Sequence, residues 1–342
     1  MGSLENLNDR ETRAGGIADY NRLFFPLLQS CWPEGDAGAS WAYACLGAST
    51  RTTFWRAFGR RRYGQKLAVT MHDGPLLDSC PFTGIGLPST VERALNHTAG
   101  RAANRRLLRR VDLLFALTRA GARAVRPFLR SEARLIHLPH FAFVNRAVRA
   151  RTVDEAFRRV YFIGGVRRDK RFDLFMHFCG RLAARGFDVL PTIVGRIADP
   201  DYYTRTLEAS GWRAELHQHS PHELSGFSDA LAAPGIAFFC HARRTVSASA
   251  AQMHALGSGL PVLCPAGSPM EEYLIPGSGS VYRTLDEAVE LAAAIFEQPP
   301  AVEARLAMIG AVEARYGFSA VGERLAKALR AAPDTRWQAI HG

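Results

Sequence analysis

No stretch of this chain approaches the ~18 to 20 consecutive apolar residues that a helix needs to cross a bilayer. The opening MGSLENLNDRETRAGG also lacks the apolar core of a signal peptide, so any membrane is met from the surface. The cysteines at 31, 45, 80, 179, 240 and 264 show no C-x-x-C spacing, and several lie in apolar runs where Cys behaves as a small hydrophobe. That usage fits a reduced, cytoplasmic compartment. Neither a P-loop nor a G-x-G-x-x-G after a strand occurs, which argues against ATPases and dehydrogenases. No internal repeat of short period and no low-complexity tract interrupts the chain.

Acidic residues are scarce in residues 51–150, which hold Arg60, Arg61, Arg62, Arg105, Arg106, Arg109 and Arg110, so the formal charge of +11 is concentrated in the first half. A field of that sign attracts phosphates on nucleic acid, anionic lipid or a sugar nucleotide, while Arg-rich solvated helix faces account for it equally well. The Arg clusters carry no recognised nucleic-acid motif and no interleaved aromatics, which argues against a nucleic-acid partner. With 342 residues and 47% apolar composition, the chain is about twice a usual domain and can fill two cores.

Apolar runs of strand type alternate with helical segments. In the first half the strands read Trp41–Leu46, Leu67–Met71, Asp112–Leu117 and Arg134–Leu138, with helices over Gly16–Gln29 and Pro88–Arg109. The second series runs strand Val160–Ile163, helix Phe172–Arg185, strand Val189–Val194, helix Pro200–Ser210, strand Arg213–His217, helix Pro221–Leu231, strand Ile236–Cys240, helix Ser247–Leu256 and strand Pro261–Leu263, then helices to the end. Near-continuous apolar strands joined by helices predict parallel sheets covered on both faces. Two series joined near residues 141–158 predict two Rossmann-like domains with a ligand cleft at the carboxyl ends of their strands. One strand is missing from this reading, because the residues before Gly15-Gly16 are polar and charged. The chain therefore predicts a truncated or misplaced start, or a rearranged sheet.

Four segments carry the chemistry. GGIADYNRLFFPLL is a Gly-rich turn opening a helix, VTMHDG ends a strand in His72-Asp73, FIGGVRRDKRFDLF is a strand and basic loop, and SASAAQMHALGSGLPVL is a small-residue helix running through Gly-Ser-Gly into a strand. In this order they resemble the retaining glycosyltransferases of the GT-B fold, specifically the glycosyltransferase 4 group, over nearly the whole chain. The resemblance implies an α/β protein whose two Rossmann-like domains face across a cleft. Residues 1–150 would bind the acceptor, residues 151–305 the donor, and the helices of 306–342 would pack back on the first domain. It further implies that His72 contacts the transferred sugar, that Asp73 orients it or receives a proton, and that Lys170 stabilises the departing diphosphate without a metal. Donor contacts would come from Gly15, Gly16, Gly164, Gly165, Arg167, Arg168, Ser247, Ser249, His254, Glu271 and Glu272.

The departures are specific. The acidic pair that holds donor sugar and ribose in that group falls on Val246 and His254, and the Arg of its donor-domain loop falls on Gly165. Arg167 or Arg168 would have to reach the phosphates instead, and Glu271 or Glu272 the ribose or sugar. Each position also has a plain structural reading: Lys170 at a helix start, Ser247 and Ser249 as caps, Glu271 and Glu272 in a first helical turn, Gly15-Gly16 as a helix entrance, and His72 as an ordinary polar strand end. Two metal-like patterns fall away. Asp199-Pro200-Asp201 reads as an N-cap with Pro at the first helical position, and His217, His219 and His222 lack a fourth ligand at zinc spacing while Ser220 to Glu223 forms a capping box.

The expected activity is transfer of a hexose from a UDP- or GDP-linked sugar to a hydroxyl of a polysaccharide or lipid-linked saccharide acceptor, with no cofactor beyond the nucleotide-sugar substrate. Basic segments around Arg60–Arg62 and Arg101–Arg110 would hold the protein against an anionic membrane surface, peripheral on its inner face. The competing expectation is a non-catalytic GT-B homologue that acts as partner or scaffold of a true transferase.

Overall fold

The computed structural model describes residues 4–8, 16–33, 40–46, 51–60, 64–72, 88–150, 156–218, 224–240 and 248–331. These fall into two units: one holds the described residues up to His140 with Ala248 and those from Val321 on, the other Phe141 to Cys240 and Ser249 to Ala320.

The first unit comprises β1 (Leu4–Asn6), α1 (Gly16–Cys31), β2 (Trp41–Leu46), α2 (Arg51–Arg60), β3 (Lys66–Met71), α3 (Ser89–Leu95), α4 (Arg101–Leu108), β4 (Leu113–Ala116), α5 (Arg119–Val125) and β5 (Arg134–His137). A single π turn, Asn96–Gly100, separates α3 from α4 where one continuous helix is expected from the sequence. The strands are parallel and ordered β1-β2-β3-β4-β5. Alternate side chains serve two layers. Ala42, Ala44, Leu46, Val69 and Leu114 pack under Phe54 of α2, Leu107 of α4 and Val125 of α5. The opposite face presents Tyr43 and Phe115 to Phe24 of α1.

The expectation of a missing first strand is corrected here. Leu4–Asn6 pairs with β2, although its sequence is polar, and the Asn8 side-chain amide extends that pairing past the strand. Asn8 Nδ2 donates to the Cys45 carbonyl at 2.9 Å and Asn8 Oδ1 accepts from Cys45 N at 2.8 Å, as a peptide group would. The strand lies at an edge of the described sheet, so no interior strand loses a partner.

The second unit comprises α6 (Ala147–Ala150), β6 (Arg159–Ile163), α7 (Phe172–Ala183), β7 (Leu190–Val194), α8 (Pro200–Ser210), β8 (Glu215–His217), α9 (Leu224–Ala230), β9 (Gly235–Phe238), α10 (Ala250–Gly257), β10 (Val262–Pro265), β11 (Gly279–Tyr282), α11 (Leu285–Glu297) and α12 (Val302–Tyr316). Its parallel strands are ordered β11-β10-β9-β6-β7-β8. Strand β11, where helices alone are expected, pairs with β10; Gly279 there has φ +153°, and a Cβ would strike the Val262 carbonyl. The core is aromatic, with Phe178 stacked on Phe238 at 3.9 Å and Phe162, Phe172 and Phe175 packed together. A last helix, α13 (Phe318–Arg330), belongs to the first unit from Val321 onward. There Gly322 lets it lie close on α1, since a Cβ would come 2.9 Å from Leu27 Cδ1. No described helix is long and apolar enough to cross a membrane.

Candidate functional site

In the second sheet the chain runs outward from β6 to β7 and β8, then returns to β6's other side with β9 and continues to β10 and β11. The point between β6 and β9 is the topological switch, where loops leave the carboxyl ends of neighbouring strands in opposite directions and open a crevice for ligands. The basic loop 164–171 leaves β6 there.

Glycine sets its geometry. Gly164 has φ +112° and Gly195, the residue after β7, has φ +148°. A Cβ on Gly195 would strike the Gly164 carbonyl oxygen, so the two loops touch backbone to backbone. Pairing continues past the strands: Gly164 N donates to Val194 O at 2.8 Å, Val166 N to Arg196 O at 2.9 Å, and Val166 bridges Ile197 in parallel. These bonds use main chain only and leave the side chains available for a ligand.

The loop then makes a 3-10 turn over Arg168–Lys170 and reverses at Arg171, whose φ of 52° is the one left-handed non-glycine conformation among the described residues. Cys240, at the end of the β9 side of the switch, donates its thiol to the Lys170 and Arg171 carbonyls at 3.3 and 3.1 Å. This held reversal turns the Lys170 side chain back onto Gly164, where a Cβ would lie 2.5 Å from Nζ. Burial first, then Arg167 and Arg196, lower the Lys170 ammonium from its ordinary value to about 8, with Asp169 and Cys240 opposing them. Other cations of the loop have carboxylate partners: Arg167 with Asp169 at 3.1 Å, Arg168 with Asp199 at 3.4 Å, and Arg171 with Asp173 at 3.0 Å. Lys170 has none among the described residues. An ammonium that is half-buried and unneutralised is what an anion would complete.

The remaining positions sort as follows. Gly165 is flanked by side chains, with Ala198 Cβ, Arg196 Cγ and Arg167 Cγ at 3.7, 3.8 and 3.9 Å from where a Cβ would stand. Ser249 caps α10, its Oγ accepting from Gln252 N at 3.3 Å, and α10 packs against β6. His254 lies in the last turn of α10, stacked on Phe143 at 4.0 Å and 5° and flanked by Phe227 at 5.1 Å. Glu271 turns back to accept from Gly267 N, and Glu272 sits in the same short 3-10 turn, its carbonyl accepting from Tyr316 OH at 3.3 Å. Asp199 caps α8 by accepting from Tyr202 N at 3.1 Å.

In the first unit Gly16 opens α1. His72 follows β3, donating its N–H to Leu46 O at 2.8 Å. Instead of standing open, its imidazole is buried edge-on to Tyr20 at 4.4 Å, with His140 at 6.0 Å, and Nε2 meets no hydrogen-bond partner among the described residues. Burial, then the charge of His140, hold its pKa well below the ordinary range, so the ring is neutral at neutral pH. Gly15, Asp73, Ser247, His219, His222 and the segment Ser220 to Glu223 lie outside the described residues. One cation of the site, Arg196, was not among the residues expected from the sequence; a strand ending in Gly-Arg was its only signal.

No family model matches the chain, and no curated protein matches it in sequence. Solved structures do match. WaaG, a glycosyltransferase involved in lipopolysaccharide biosynthesis, superposes with a TM-score of 0.62 at 14% identity, covering 97% of this chain and 100% of WaaG. HepE of Anabaena in complex with UDP-glucose gives 0.61 at 14% identity, covering 84% of this chain and 78% of HepE. TarM gives 0.59 at 12% identity over 85% of this chain, which spans 55% of TarM's length. The chain thus has the GT-B glycosyltransferase fold, two Rossmann-like α/β units each built on a parallel sheet.

Proposed function

We propose that this protein is a retaining glycosyltransferase that moves a hexose from a UDP- or GDP-linked sugar to a hydroxyl of a polysaccharide or lipid-linked saccharide acceptor. The observation that carries the reading is Lys170, an ammonium without a carboxylate partner among the described residues, held against Gly164 at the switch point of the second sheet. The anomeric carbon–oxygen bond breaks as negative charge builds on the departing diphosphate, and a fixed cation in a site of reduced solvation stabilises that charge without reorganising. The acceptor hydroxyl adds to the same face of the sugar and passes its proton to an oxygen of the leaving diphosphate. Retention therefore needs no nucleophile from the chain, and the charge on the diphosphate needs no metal. His72, neutral at working pH, would contact the transferred sugar, with Asp73 beside it in sequence.

A second reading, a non-catalytic partner of a transferase, is favoured by one feature. His254 is occupied by Phe143 and Phe227, and Glu271 by Gly267 N. Incubation with a panel of UDP- and GDP-sugars, followed by mass spectrometry, separates the two. Release of UDP or GDP with a hexosyl product supports the transferase; no turnover of any donor supports the partner. For the basic face, Arg105, Arg106 and Arg109 are exposed around α4, and salt-sensitive binding to anionic vesicles is expected. Absent or salt-insensitive binding counts against it.

A further inference from the structure

Five cations stand on the two loops that leave β6 and β7: Arg167, Arg168, Lys170, Arg171 and Arg196. Three carboxylates answer them, Asp169, Asp173 and Asp199, each in an ion pair with Arg167, Arg171 and Arg168 in turn. Among the described residues two positive charges are left over, on Lys170 and Arg196. Arg196 repels the Lys170 ammonium rather than neutralising it.

Their loops are joined rigidly. The Gly164–Gly195 contact, the Val166 N to Arg196 O bond at 2.9 Å and the Val166–Ile197 bridge fix Arg196's backbone relative to the Lys170 loop. The stem of Arg196 lies over Gly165, with Cγ 3.8 Å from the place of a Cβ.

We propose that Arg196 is the second cation of this site and, together with Lys170, grips the two charged phosphates of a diphosphate. The proposal rests on the glycosyltransferase reading for the identity of the ligand, and on the two loops alone for the anion site. A planar guanidinium with several donors suits two phosphoryl oxygens at once, while Lys170 supplies a point charge. Arg167, also beside Gly165, has its charge answered by Asp169 and is assigned no such part.

The test titrates UDP, and separately inorganic pyrophosphate, calorimetrically into the wild-type chain and into Arg196→Ala, Arg167→Ala and the double variant Gly165→Arg with Arg196→Ala. Melting temperature serves as the check that each variant folds. Arg196→Ala is expected to weaken both ligands by about tenfold or more, and Arg167→Ala by less than about threefold. The double variant is expected to recover most of the loss, because position 165 meets only ordinary van der Waals neighbours and opens on the same space. An Arg196→Ala affinity within about threefold of wild type, or equal losses for Arg167 and Arg196, overturns the proposal. Pyrophosphate binding that Arg196→Ala abolishes, in a chain that does not bind UDP, supports the anion site and overturns the nucleotide-sugar reading. A wild-type chain that binds neither overturns both.

Discussion

Lys170 and Gly164 fit so closely that any side chain at position 164 displaces the Lys170 ammonium nitrogen, which lies 2.5 Å from where a Cβ would stand. Gly164→Ala therefore has two effects. The left-handed backbone at φ +112° costs about 1 to 3 kcal/mol when an L side chain is forced into it. The displaced ammonium also weakens UDP by about tenfold. Denaturant unfolding and calorimetry read the two separately, and unaltered UDP affinity in the folded variant contradicts the role given to Lys170.

Affinity for a diphosphate is expected to fall with alkaline pH. Burial lowers the Lys170 pKa from the ordinary value to about 8, so between about 8 and 10.5 the unfolded chain holds the proton that the folded chain has lost. Charging Lys170 thus opposes folding below pH 8, and that cost is relieved as pH rises. A bound diphosphate favours the charged form and raises its pKa, so binding near pH 8 takes up a proton. Calorimetry in buffers of different ionisation heat detects the uptake, and Lys170→Arg abolishes it because guanidinium stays charged. An affinity that is flat from about pH 7 to 9.5 in the wild type contradicts this account.

Ser249 already spends its hydroxyl on Gln252 N at 3.3 Å, as the cap of α10. Ser249→Ala is expected to cost about 1 kcal/mol of stability in urea. Ser249→Asp keeps the cap but sets a carboxylate at a helix end proposed to face phosphate. It is expected to restore stability and to weaken UDP, whereas equal affinity in serine and aspartate forms limits this residue to capping.

His72 belongs to the first unit and Lys170 to the second, so their losses should separate. In His72→Ala transfer falls by a factor of ten or more while UDP affinity stays within about twofold. The lost packing on Tyr20, 4.4 Å from the imidazole, costs about 1 to 3 kcal/mol of stability. Full turnover in the folded variant removes His72 from the reaction.

The alternation of elements was legible because strands such as Arg159–Ile163 and Trp41–Leu46 are buried on both faces and read as unbroken apolar runs. Two strands were not legible, for different reasons. Leu4–Asn6 is short and polar, and the Asn8 amide that extends its pairing is a tertiary device with no periodicity. Gly279–Tyr282 is short and begins with glycine, which depresses any strand signal. In the site, Lys170 stood out because FIGGVRRDKRFDLF resembles the donor-domain loop of the glycosyltransferase 4 group and places that loop's lysine at 170. Its relation to Arg196 stayed hidden, since the two loops meet through main-chain contacts at the ends of separate strands, which leave no mark in the sequence. The ring contacts of His254 were not legible either, because Phe143 and Phe227 lie far from it in the chain.

The central claim is that the second unit holds a diphosphate on Lys170, and the direct measurement is a calorimetric titration of UDP into the wild-type chain and into Lys170→Ala at neutral pH. Micromolar binding by the wild type and a loss of about a hundredfold in the variant, near 3 kcal/mol, is the predicted result. Equal affinities in the two proteins, or no binding of UDP or GDP by the wild type, contradict it.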